Sequence, residues 1–134
     1  MTNSLIIYCS AFLLVLTLIL GAMVSIVRTK LNVLYAYPNE PDQILYKLVR
    51  AHANSTEYVP VVCVIFYLVN LVGITSVDEF MILILTASRL LIIMGICIPK
   101  TMARPNWART LGSFGTNFCA LYLIGKVVVE LFNM

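Results

Sequence analysis

The sequence has few charged residues: 11% of its 134 residues are Asp, Glu, Lys or Arg, against about 25% in an average soluble domain. Hydrophobic residues make up 61% of the chain, and its mean hydropathy is +0.97. A chain of this length cannot hide so much apolar surface in a core, because small domains keep much surface per volume. The composition therefore predicts a membrane protein whose exterior contacts lipid.

The sequence also lacks a basic patch and any metal-binding spacing. Its nine Lys and Arg residues are scattered singly, which argues against a nucleic-acid partner despite a formal net charge of +3. The four cysteines occur alone in apolar runs without a CxxC pair, so we expect small apolar side chains that face lipid or neighbouring helices, and no metal site. The cysteines are Cys9, Cys63, Cys97 and Cys119.

The hydrophobic runs predict an all-α, polytopic membrane protein with one four-helix domain over residues 1–134. At 1.5 Å per residue, each run is long enough to cross about 30 Å of hydrocarbon. The first run exceeds the roughly 7–15 residues of a signal peptide's apolar core, so we expect it to be retained. The predicted spans are about 5–27, 46–72, 80–98 and 108–130, with a turn over residues 73–79.

The distribution of Lys and Arg predicts the orientation. Basic residues flank the first and third connections, whereas the second carries Asp78 and Glu79 and no basic residue. The positive-inside rule therefore places connections one and three in the cytoplasm and both termini outside. The basic residues concerned are Arg28, Lys30, Lys47, Lys100, Arg104 and Arg109.

The second helix carries a polar face. Arg50, Asn54 and Glu57 stand at positions i, i+4 and i+7, which share one side of a helix, and Tyr58 borders them. An ionisable group at membrane depth faces the bundle interior or a cavity. At 1.5 Å per residue, Glu57 lies about 16 Å from the cytoplasmic end of the second span. Arg89 lies about 13 Å from the cytoplasmic end of the third span. We therefore predict a Glu57–Arg89 ion pair that neutralises two buried charges.

Two interpretations of this polar face remain open. The charged residues can be structural contacts that hold a helical bundle together, which would explain a Glu57–Arg89 pair. The excess of positive charge, from Arg50, Lys47 and the arginines before the fourth helix, instead favours an anionic ligand, because guanidinium groups bind carboxylates bidentately. His52 points away from the polar face, which indicates a structural role or a subunit contact.

Residues 50–60 read RAHANSTEYVP, and the pattern R-A-x-x-N-x-x-E-Y-x-P resembles the signature of the MAPEG family. The name stands for membrane-associated proteins in eicosanoid and glutathione metabolism. The third-helix Arg89 and the stretch RTLG over residues 109–112 resemble two further features of the family. The number and placement of the spans also match, so the resemblance covers nearly the whole chain.

This resemblance implies a homotrimer that binds glutathione between adjacent subunits near the cytoplasmic face. In such proteins the positions of Arg50, Asn54, Glu57 and Tyr58 hold glutathione. The positions of Arg28 or Lys30 and of Arg89 assist in holding glutathione.

An arginine near the start of the fourth helix would stabilise the glutathione thiolate. We assign this role to Arg109, with Arg104 as the rival candidate. The implied activity is a glutathione transferase or peroxidase acting on a lipophilic electrophile or hydroperoxide that arrives through the bilayer.

The third helix departs from the family pattern. Several eicosanoid-type members have a tyrosine or histidine within two turns after the helix-three arginine, where residues 90–96 here are LLIIMGI. An alternative is therefore a non-catalytic membrane protein of the same fold that binds a lipid or a partner protein. A small transporter or channel subunit is a third hypothesis, based on buried charge alone. The minimal loops favour a bacterial inner membrane over a eukaryotic internal membrane.

Overall fold

The computed structural model describes residues 4–34 and 40–133, which form four α-helices. They are α1 (Ser4–Leu31), α2 (Ile44–Val72), α3 (Ser76–Cys97) and α4 (Trp107–Phe132). All four are long and apolar enough to cross a membrane, which confirms the prediction of an all-α, multi-pass membrane protein. Large apolar side chains on the outer surface, such as Leu18 and Phe114, are more than 70% exposed, as lipid contact requires.

The helices pack as two pairs. The most extensive contact joins α3 to α4, the next joins α1 to α2, and α2 also contacts both α3 and α4. Phe66 of α2, Leu85 of α3 and Leu123 of α4 are fully buried in the larger of two apolar clusters. Because each helix buries only one face within the chain, the opposite faces remain available to lipid or to another subunit.

The helix ends place the connections at two ends of the bundle. We call the end at which α1 and α3 finish and α2 and α4 begin the basic end, because the predicted basic connections lie there. The third helix begins earlier than predicted: residues 76–79 are helical and not part of a turn. The reason is a capping box, in which Thr75 accepts from the backbone of Asp78 and the Asp78 carboxylate accepts from the backbone of Thr75.

The close contact between α3 and α4 depends on Gly112. A Cβ added there would lie 2.7 Å from the Ser88 carbonyl oxygen and 2.7 Å from Cγ1 of Ile92. We expect Gly112→Ala to lower the free energy of unfolding by about 1–3 kcal/mol, because the two backbones must separate.

Unfolding in detergent, followed by circular dichroism, measures this loss. The matched control is Gly125→Ala in the same helix, where an added Cβ meets nothing within 4 Å. Alanine there should be neutral or slightly stabilising, since it is the better helix former. Equal stability of the two variants would contradict the close packing at Gly112.

Candidate functional site

A cleft of about 540 Å³ lies at the basic end, between α2, α3, α4 and the α3–α4 loop (residues 98–106). Its polar wall combines side chains from three helices: Arg50, Asn54, Tyr58, Arg89, Arg109 and Thr116. No Asp or Glu is found among the described residues that line it. Three guanidinium groups without a carboxylate give the cleft an electrostatic preference for anions.

Arg89 is the most deeply buried of these groups, with 1% of its surface exposed. Its Nη2 donates to the backbone oxygen of Asn54 at 3.0 Å and to the Asn54 side-chain oxygen at 2.7 Å. The guanidinium carbon also lies 4.6 Å from the centroid of the Tyr58 ring, a cation–π distance. Arg89 therefore joins α3 to α2 through a neutral amide and an aromatic ring.

The predicted Glu57–Arg89 ion pair is wrong. Glu57 is exposed and makes no ion pair with Arg89, which hydrogen-bonds to Asn54 instead. The reason is helical geometry: Asn54 and Tyr58 are four residues apart and face α3 together, whereas Glu57 points about 100° away from Tyr58 around the axis. The predicted polar face is thus divided, because Arg50, Asn54 and Tyr58 line the cleft and Glu57 does not.

Arg109 lies at the start of α4 and is half-buried in the cleft wall. Its Nη1 donates to the Met102 carbonyl at 3.3 Å, and its backbone N–H donates to the side-chain oxygen of Asn106, the N-cap of α4. Asn106 Nδ2 in turn donates to the Gly95 carbonyl at 2.7 Å. A Cβ at Gly95 would lie 2.8 Å from the Arg109 backbone nitrogen, so glycine there lets α4 begin directly against α3.

A known protein family is similar to this chain over most of its length. The family model described as "MAPEG family" matches residues 6–129, which is nearly the whole chain. The chain belongs to the MAPEG family. A search of curated proteins finds no individual match.

The other predicted site residues of this MAPEG chain lie outside the cleft. Arg104 is exposed and does not line it, although its neighbours Ala103 and Pro105 do. Arg28 donates from Nη1 to the Leu34 carbonyl at 2.7 Å, and Lys30 is exposed. Both belong to α1, which contributes nothing to the cleft wall within one subunit.

Sequence reasoning missed several contributors to the cleft of this MAPEG protein, among them Met102, Asn106 and Thr116. Met102 and Asn106 were overlooked because loop residues carry no periodic pattern, although an Asn directly before an apolar run is a recognisable N-cap signal. Thr116 was overlooked because one hydroxyl in an apolar span is common. Its Oγ1 and the Nε of Arg89 are both buried, and neither has a hydrogen-bond partner among the described residues.

The departure in α3 also has a structural consequence. Ile92 and Ile96, on the stretch after Arg89, form part of the cleft wall and offer no hydrogen bond.

His52 lies outside the cleft: its imidazole packs over Gly21 of α1, where an added Cβ would be 3.0 Å from Nε2. In the described part of the chain, no group of three or more His, Cys, Asp or Glu residues is placed to hold a metal.

Proposed function

We propose that this MAPEG protein is a membrane-embedded, glutathione-dependent transferase or peroxidase that acts on a lipophilic electrophile or hydroperoxide. The observation that carries the proposal is the convergence of Arg50, Arg89 and Arg109 in one cleft that has no acidic residue in its described lining. Glutathione carries two carboxylates and a thiol, so three guanidinium groups match its negative charges.

Arg109 is the residue that we assign to the thiol. A free thiol has a pKa of about 8.5 and is mostly protonated at neutral pH, whereas a nearby guanidinium favours the thiolate. The thiol proton is transferred to water at the open mouth of the cleft. In conjugation the thiolate sulfur forms a bond to carbon as the leaving group departs. In peroxide reduction the thiolate attacks one peroxide oxygen and the O–O bond breaks; the alkoxide takes a proton from water and leaves as an alcohol. A second glutathione thiol then reacts with the resulting sulfenic acid to give a disulfide and water.

We propose that the active form is a homotrimer with glutathione between subunits. Glu57 supports this, because it is exposed about 20 Å from either end of α2, where a carboxylate facing lipid would cost several kcal/mol. A neighbouring subunit that covers this face would place Glu57 in the site beside Arg50, Asn54 and Tyr58. Arg28 or Lys30 of α1 would reach glutathione only across such an interface.

We propose that the basic end faces the cytoplasm, following the positive-inside rule. The cleft then opens toward the aqueous pool of glutathione, while the acceptor enters from the bilayer. Both termini lie on the opposite side. A bacterial inner membrane is favoured over a eukaryotic internal membrane on the basis of the minimal loops.

Glutathione binding tests the proposal directly. Titration calorimetry on the purified protein in detergent should detect saturable binding, and ultraviolet absorbance should report a thiolate at neutral pH, because Arg109 favours the ionised form. S-methylglutathione is the matched control ligand: it keeps both carboxylates and should bind without a thiolate signal. If neither glutathione nor S-methylglutathione binds, the proposed function is overturned.

A second candidate function is the binding of a lipid or partner protein without catalysis. The apolar wall formed by Ile92 and Ile96 favours it, as does an apolar groove of about 430 Å³ between α1 and α2, lined in part by Ile6, Leu14 and Tyr67. This function predicts a lipid that co-purifies with the protein. It also predicts no thiolate absorbance when glutathione is added.

A further inference from the structure

Lys47 belongs to the first turn of α2 and is 7% exposed, yet it does not line the cleft. The sequence interpretation counted it among the basic groups that attract an anion. In the structure its ammonium group instead donates to the carbonyl oxygens of Pro99 at 2.6 Å and Lys100 at 2.8 Å. These carbonyls follow the end of α3, where no further helical turn supplies donors.

A second contact fixes the same loop. The backbone N–H of Met102 donates to the Pro41 carbonyl at 3.1 Å, so the segment before α2 also holds the α3–α4 loop. The Met102 carbonyl accepts from Arg109 Nη1 at 3.3 Å. The loop is therefore attached to α2 on one side and to the Arg109 guanidinium on the other.

We propose that Lys47 is a positioning residue: by holding the α3–α4 loop against α2, it sets the location of the Arg109 guanidinium in the cleft. A buried ammonium group with two carbonyl acceptors makes strong hydrogen bonds, because charge-assisted bonds exceed neutral ones. Without Lys47, two carbonyls lose their donor and Met102 loses part of its support. Arg109 would then spend less time at the position where it can stabilise a thiolate.

The inference rests on the proposed function for its catalytic consequence and on the geometry alone for the loop. The chain has a single tryptophan, Trp107, which directly follows the loop and is 74% exposed. Its fluorescence anisotropy therefore reports motion of the loop and the start of α4 without any need for glutathione.

The experiment compares Lys47→Met, Lys47→Arg and Lys100→Met in the full-length protein. Lys100→Met is the matched control, because the Lys100 side chain is exposed and only its backbone carbonyl takes part in the contact. We expect Lys47→Met to lower kcat by about tenfold or more, with the Kd for glutathione changed by less than about twofold. Trp107 anisotropy should fall in Lys47→Met, recover largely in Lys47→Arg and stay at the wild-type value in Lys100→Met.

A double variant separates a positioning role from a general loss of stability. If Lys47 acts through Arg109, Lys47→Met in an Arg109→Ala background should reduce kcat no further. Additive losses, or wild-type kcat in Lys47→Met, would overturn the inference. If the wild-type protein binds no glutathione, only the proposed function fails. The role of Lys47 in holding the loop is then tested by Trp107 anisotropy alone, and an unchanged value in Lys47→Met would overturn it.

Discussion

Replacing Arg109 by alanine is expected to lower the turnover of glutathione conjugation by about 100-fold or more, while the Kd for glutathione rises by less than about threefold. The loss in kcat follows from removing a preorganised cation next to a developing negative charge, which typically costs about 100- to 1,000-fold. Binding should change little, because Arg50 and Arg89 remain in the cleft to hold the carboxylates. Steady-state kinetics with an aryl halide acceptor and calorimetry with glutathione give the two numbers.

Arg104→Ala is the matched control for this experiment. Arg104 precedes Arg109 by only five residues and carries the same charge, yet it is exposed and outside the cleft wall. We expect its turnover to stay within about twofold of the wild type, since removing a screened surface charge has small effects. If Arg104→Ala loses turnover and Arg109→Ala keeps it, the two roles are exchanged and the assignment to Arg109 is wrong.

The second large effect is expected at the opposite end of the bundle, on stability and not on turnover. Asp78 is fully buried in the first turn of α3, and its Oδ2 is paired with Lys126 of α4. The same oxygen accepts from the backbone and hydroxyl of Thr75, both at 2.7 Å, and Lys126 also donates to the Gly73 carbonyl at 2.6 Å. One ion pair thus joins the α2–α3 connection, the start of α3 and the end of α4.

Lys126→Met should lower the free energy of unfolding by about 3–5 kcal/mol, because it leaves a buried carboxylate without its counter-charge. Unfolding in detergent, followed by circular dichroism, measures the change. Turnover of the fraction that remains folded should be close to wild type, since the cleft lies at the basic end.

Two further variants test the origin of that loss. Asp78→Asn combined with Lys126→Met removes both charges and keeps an oxygen to accept from Thr75, so it should recover most of the stability. Lys100→Met removes an exposed lysine and should change stability by less than about 0.5 kcal/mol. Wild-type stability in Lys126→Met, or a double variant less stable than either single one, would contradict a paired buried charge.

Much of the fold could be predicted from the sequence. Four apolar runs of sufficient length determine four helices, because backbone polar groups in lipid must be satisfied within each segment. The spacing of Arg50 and Asn54 placed them on one face, and both do line the cleft. The start of α3 was misplaced because the polar residues Thr75 and Asp78 resemble a turn, whereas their reciprocal hydrogen bonds begin a helix.

The partners of the charged residues were decided by the tertiary structure. Helical periodicity gives the angle of a side chain around its own axis, but the neighbour found at that angle depends on how the helices pack. For this reason Arg89 meets Asn54 and Tyr58 and not Glu57, and Lys47 binds loop carbonyls outside the cleft. The sequence by itself determined a four-helix membrane protein of the MAPEG family, whereas helix packing decided that Arg109, and not Arg104, lines the cleft.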